Sequence, residues 1–208
     1  MLSVFDKYLR PFFQTLFVDP IAKFLTRSTF ITPLFLTSLG CFVGLSAALA
    51  IWYQAPWLAL FALLLSGYLD LLDGTLARLQ DKSTPIGSVL DFFSDRVVDF
   101  AIVLALFGIA PHERGFLSLL MLGSIFLCVT SFLLVAIFVE NHSEKGMHFS
   151  PGLIERGETF LFFFLMLCFP SGFAPLAWLF SGLVFFTAGI RLFQFCCNFS
   201  TSHISSEN

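Results

Sequence analysis

Residues 70–95 begin Asp70-Leu71-Leu72-Asp73-Gly74-Thr75-Leu76-Ala77-Arg78 and, after eight intervening residues, end Gly87-Ser88-Val89-Leu90-Asp91-Phe92-Phe93-Ser94-Asp95. Apolar runs flank the stretch on both sides, so its charges fall where lipid is expected. An ionisable group inside a membrane span costs on the order of 3 kcal/mol on insertion scales, so four carboxylates there are not decoration. Asp70 and Asp73 are three residues apart, and Asp91 and Asp95 four apart, so each pair shares a helix face. At about 1.5 Å per residue, Asp70 stands roughly 15 Å above Gln80 and Asp95 roughly 14 Å above Ile86. Asp73 and Asp91 are each about 8–10 Å in by the same measure. Two antiparallel helices joined by a short turn bring all four acids to matching depth. Such a cluster demands a compensating positive charge.

The rest of the chain agrees with a membrane setting. It has 208 residues, is 57% hydrophobic and contains 30 Phe, and its mean hydropathy is +0.89. Those values exclude an ordinary soluble domain and leave a polytopic membrane protein. The apolar runs are continuous rather than alternating, which excludes a transmembrane β-barrel. Net charge is −3, and no nucleic-acid partner is expected. Cys41, Cys128, Cys168, Cys196 and Cys197 all fall in apolar runs without CxxC or His-paired spacing, so they read as small hydrophobes.

At about 20 residues per helical span, the length predicts six transmembrane helices: residues 31–53, 57–80, 86–109, 115–140, 152–169 and 174–197. Breaks are expected at Gln54 to Pro56, Asp81 to Pro85, Pro111 to Gly115, Glu140 to Ser150 and Pro170 to Pro175, each marked by Pro, Gly or charge. Residues 2–18 place Leu2, Phe5, Leu9, Phe12, Phe13 and Leu16 on one face and Asp6, Lys7 and Arg10 on the other. They predict an amphipathic helix lying in the interface; its interleaved charges do not suit a cleavable signal peptide. Asp19-Pro20 predicts the start of a second short helix, with Asp19 as its cap. Most Lys and Arg fall on one side, with Arg114 alone opposite, so both termini are expected in the cytoplasm. In a bacterium the location would be the inner membrane. The chain reads as one domain over 1–208: an interfacial segment 1–28, a bundle 31–197 and a tail 198–208.

Four carboxylates with no His or Cys nearby suit a hard divalent cation, Mg2+ or Mn2+. Gly74 and Gly87 leave room for a bulky ligand beside the backbones, as does Ala77. Arg78 offers a planar, permanently charged fork for a phosphate. Metal-holding acids with an Arg and clearance beside them point to a diphosphate ligand.

At all eight defined positions (Asp70, Asp73, Gly74, Ala77, Arg78, Gly87, Asp91 and Asp95) the stretch resembles the signature of the CDP-alcohol phosphotransferase (phosphatidyltransferase) family. The predicted six spans and amphipathic N-terminal helix are similar to that family too. The resemblance implies an all-α membrane fold with its active site in the cytoplasmic half of the bundle. It implies two metal ions on Asp70, Asp73, Asp91 and Asp95, with Asp95 also the general base. It places the cytidine diphosphate along Asp73, Gly74, Ala77, Arg78 and Gly87. An acceptor hydroxyl would attack the β-phosphorus of CDP-diacylglycerol and CMP would leave. A homodimer is implied as well.

Arg156, and with it Arg191, is the candidate to hold the acceptor, since Ile154-Glu155-Arg156 resembles a segment of the family's inositol-phosphate and glycerophosphate enzymes. Those relatives often carry a Lys-x-Arg-x-Glu run at the end of span four. Here Val135 to His142 has no cation, which leaves a neutral or zwitterionic acceptor such as choline or serine open. Thr37 either touches the ligand or bonds its own backbone, and Asp99 either supports the site or pairs with Arg96. His112, His142, His148 and His203 read as solvated loop or tail residues, and Phe160 to Phe164 as lipid-facing or packing surface. A divalent-cation transporter is the rival class. Transporters tend to show repeated halves and interrupted helices, and neither is found.

Overall fold

A computed structural model describes residues 14–26, 31–82, 84–140 and 156–206. These form a π-helical turn Gln14–Val18 running into α1 (Asp19–Leu25), then α2 (Pro33–Trp52), α3 (Pro56–Leu79), α4 (Pro85–Ile109), α5 (Pro111–Glu140) and α6 (Arg156–Cys168). A 3-10 turn Pro170–Gly172 leads into α7 (Phe173–Ser206).

Proline decides where most of these helices start. Pro33, Pro56, Pro85 and Pro111 each open a helix, where the missing N–H costs nothing and the fixed φ is already helical. Thr32 and Thr84 cap α2 and α4, their hydroxyls accepting from Phe35 N at 3.2 Å and Gly87 N at 3.1 Å. Among the described residues, the tight turns α2–α3 and α3–α4 hold Gln54 at φ 55° and Asp81 at φ 51°.

Small residues let α2, α3 and α4 approach closely. Gly40, Gly44, Ala47 and Ala48 of α2 are buried, as are Ala59, Ala62 and Ser66 of α3. The Ser66 hydroxyl donates to Gly40 O across the interface at 2.8 Å. A Cβ on Gly44 would lie 2.6 and 2.7 Å from the two methyls of Val98 on α4. Close backbone approach through small residues is how membrane helices associate when lipid removes the hydrophobic drive. In the other half α5 packs along α7, and α6 bridges α3 to α7. Phe163 of α6 and Phe180 of α7 are fully buried, with ring centroids 6.2 Å apart. At the end opposite the α3–α4 turn, Arg114 donates to Leu106 O and Pro170 O and lies 4.5 Å over the Phe173 ring.

Among the described residues four stretches are helical, long and apolar enough to cross a membrane: Pro33–Trp52, Pro56–Leu79, Pro111–Phe138 and Pro170–Cys197. The sequence predicted six. Helix α4 has 25 residues but carries Asp91, Asp95, Arg96 and Asp99, and α6 is described over 13 residues only. Other expectations shift more plainly. Pro111 to Gly115 is not a break but the first turn of α5, which places His112 in a helix. The tail from 198 continues α7 to Ser206, so His203 is helical too. Asp19 does not cap α1, because the chain is already helical at Val18; Asp19 lies in the first turn. Phe160 to Phe164 divides, with Phe163 in the core and Leu161 exposed. Most of the predicted amphipathic helix, with His142 and His148, lies outside the described residues.

Candidate active site

Helices α3 and α4 bring Asp70, Asp73, Asp91 and Asp95 to the wall of one cavity, and three of them converge. Asp70, Asp91 and Asp95 each turn one carboxylate oxygen to a common point, all within 4.8 Å of one another. At that separation two unit charges repel by roughly 3–4 kcal/mol at an effective dielectric near 20, before solvent screening on the open side. The cluster therefore needs a cation. Hard oxygen donors converging this way fit Mg2+ or Mn2+ by ligand type and number.

The cation at this cluster is Arg156, at the start of the described part of α6. Its Nη1 donates to Asp70 Oδ1, pairs with Asp95 Oδ1 and lies 4.0 Å from Asp91 Oδ1. The guanidinium also stands 5.4 Å from the Phe160 ring centroid, one turn further on, a favourable cation–π placement. Sequence reasoning gave Arg156 to an acceptor and missed that it reaches the acids themselves. The available signal was the cluster's need for positive charge, which had been assigned wholly to metal.

Asp73 stands apart from the other three. It is 4% exposed, and its Oδ2 accepts a 2.6 Å hydrogen bond from Thr37 Oγ1 of α2. Both readings of Thr37 had omitted this contact, although Pro33 O is also within reach at 3.1 Å. Removing a donor from a buried carboxylate costs about 1–3 kcal/mol. Thr37→Val is expected to lower the melting temperature in detergent and chelator by several degrees. An unchanged melt would show the bond to be worth little.

These groups line one narrow cavity between α2, α3, α4 and α6, with about 230 Å³ of empty space and Thr37, Ser66 and Ser94 completing its polar wall. Arg156 forms part of its wall. The remaining predicted site residues are not in this wall. Gly74, Ala77 and Arg78 follow Asp73 down α3 toward the turn, and Gly87 precedes Asp91 in the first turn of α4. Among the described residues, nothing but Arg78 Nη1, at 3.8 Å, would touch a Cβ on Gly74. Arg78 is held by Thr75, whose hydroxyl accepts from Arg78 Nη2 at 3.1 Å and from Gln14 Nε2 at 3.2 Å. Arg191 is not brought to the cluster. Its Nη1 donates to Cys128 O at 3.1 Å, and its guanidinium lies 5.3 Å over Phe132 of α5. Of the two readings of Asp99, the structure shows pairing: Arg96 Nη1 lies 3.0 Å from its Oδ2.

Acids gathered at one depth in a helix bundle, beside a glycine and an arginine, define a class as well as a site. The chain belongs to the CDP-alcohol phosphatidyltransferase family, whose model matches residues 30–192. It is 34% identical over 177 residues to inner membrane protein YnjF of Escherichia coli, covering 79% of this chain and 82% of that protein. It is 31% identical over 159 residues to the phosphatidylinositol phosphate synthase of Mycobacteroides abscessus, covering 74% and 70%. With the archaetidylinositol phosphate synthase of Aeropyrum pernix it shares 30% over 159 residues, 76% of each chain. The fold is shared with the crystal structure of Mycobacterium tuberculosis phosphatidylinositol phosphate synthase with CDP-DAG bound, at a TM-score of 0.64 and 24% identity, covering 86% of this chain and 93% of that one. A second structure of that enzyme, in complex with manganese and citrate, gives 0.63 at 24% identity, covering 85% and 87%. The apolar helices and this family place the chain in a membrane.

Proposed function

We propose that the protein transfers the phosphatidyl group of CDP-diacylglycerol to a hydroxyl of a small polyol or polyol phosphate, releasing CMP. The observation that carries this reading is the convergence of Asp70, Asp91 and Asp95 within 4.8 Å, with Asp73 behind them. In this reading those four acids hold two divalent ions, Mg2+ or Mn2+. The ions, when bound, neutralise charge developing on the diphosphate. Asp73, Gly74, Ala77, Arg78 and Gly87 form the cytidine diphosphate subsite, with Arg78 pre-oriented by Thr75. Asp95 accepts the proton of the attacking hydroxyl, which then displaces CMP at the β-phosphorus. Arg156 holds the acceptor; Arg191, turned toward Cys128 and Phe132, has no part in it.

The names of the inositol phosphate synthases among the relatives favour an inositol-type or glycerophosphate acceptor. The missing cation between Val135 and Asn141 favours the second reading, a neutral or zwitterionic alcohol. We further read six spans, both termini and the active site facing the cytoplasm, and a homodimer. The exposed Leu16, Phe17, Ile21 and Phe24 lie in the bilayer interface beside the site. Purified protein given CDP-diacylglycerol and Mn2+ should release CMP only when an acceptor is added from glycerol 3-phosphate, inositol, inositol phosphate, serine or choline. Silence across that panel, with Mg2+ or Mn2+ crossing vesicles that carry the protein, would establish the transporter instead.

A further inference from the structure

Among the described residues the wall of the cavity contains one cation, Arg156, and it uses the oxygens a metal would use. We infer that Arg156 is an exchangeable internal counter-ion: it holds the acid cluster together when no metal is bound, and divalent ions expel it on entering. The inference rests on the metal-site reading above and adds a competition that the site's donor set alone does not imply.

Two oxygens decide the matter. Asp70 Oδ1 and Asp95 Oδ1 are both taken by Arg156 Nη1, so a guanidinium bridges α3 and α4 through α6. Hard cations bind carboxylate oxygens at about 2.0–2.6 Å, which leaves no room for the guanidinium between the same atoms. Like charges also exclude one another there. A single positive charge leaves Asp70, Asp91 and Asp95 undercompensated, whereas divalent ions cancel more charge in the same space, so exchange runs toward metal when metal is present. Arg156 can leave cheaply. A side-chain rotation frees it without disturbing the helix backbone, and the Phe160 face one turn on remains beside it. The freed guanidinium then stands at the rim of the cavity, available to an incoming phosphate.

Competition makes a counter-intuitive prediction: removing this cation tightens metal binding. Mn2+ titration of the full-length protein in detergent, followed by electron paramagnetic resonance, should give a Kd at least about tenfold lower for Arg156→Gln than for wild type. Arg156→Lys should stay near wild type. In chelator Arg156→Gln should melt several degrees below wild type, and Mn2+ should close the gap. A Kd for Arg156→Gln equal to or weaker than wild type overturns the exchange. Phenylglyoxal labelling of Arg156 in the wild-type protein, read by mass spectrometry, needs no variant. Labelling should quicken when Mn2+ is added, and an unchanged or slower rate also overturns it. If wild type binds no Mn2+, the metal site itself is wrong; if it binds with Arg156 unmoved, only the exchange is.

Discussion

Asp95→Asn is expected to cut acceptor-dependent CMP release by about a thousandfold or more while leaving the protein folded. Asp95 is 8% exposed and carries one of the three converging oxygens. The amide keeps its shape and removes its charge. Loss of a positioned general base alone costs about 10²–10⁴-fold, and loss of a carboxylate ligand adds to that by weakening metal binding. Stability should not follow activity. The substitution takes one negative charge out of a cluster that repels itself, and Arg156 keeps Asp70 as a partner. The measurements are kcat/KM for CMP release with CDP-diacylglycerol, and the melting temperature in chelator. Activity within tenfold of wild type would remove Asp95 from the chemistry. A collapsed melt would show that its role is structural.

The second large effect is at Gly44, on the seam of α2 with α3 and α4. An added Cβ meets both Val98 methyls, at 2.6 and 2.7 Å, and the Ser66 hydroxyl at 2.9 Å. Valine is stiff at χ1 in a helix, and with both methyls in the way a rotation cannot clear the contact. The helices must separate. Overpacking of this kind costs about 1–3 kcal/mol, which for a chain of this size lowers the melting temperature by several degrees. Activity should fall further than stability, because Val98 follows Asp95 by one turn and Ser66 precedes Asp70 by one. A shift of α4 against α3 spreads the acid oxygens. Gly44→Ala is therefore expected to lose most CMP release and to bind Mn2+ more weakly than wild type. Retention of wild-type Mn2+ affinity would show that the seam does not set the acid geometry.

What could be read from the sequence was whatever repeats within a helix. The three- and four-residue spacing of the acids, their matched depth and the proline-marked starts of α2, α3 and α4 are local, and the structure has them. Pro111 was misjudged because proline both breaks and begins helices, and only the missing loop on its far side tells the two apart. Thr37 and Arg156 were out of reach for a different reason. Their partners, Asp73 and Asp70, are in other helices, and nothing in the spacing of α2 or α6 says how each is rotated about its axis. The charge demand of the acids was legible; its donor was not. Arg191 illustrates the converse, a cation whose sequence position suggested the site and whose rotation sends it to Cys128 and Phe132.

The order of the elements along the chain bears on how the protein is made. Helices α2, α3 and α4 follow one another through tight turns, and between them they hold every acid of the cluster. A ribosome delivers that trio well before α6 emerges, so the nascent protein passes through a stage in which the carboxylates have met and Arg156 does not yet exist. Only a metal ion, a proton or delayed packing can relieve the charge during that interval. Divalent cations would then act as assembly factors, and cells starved of them should accumulate the chain half-inserted and open to proteolysis.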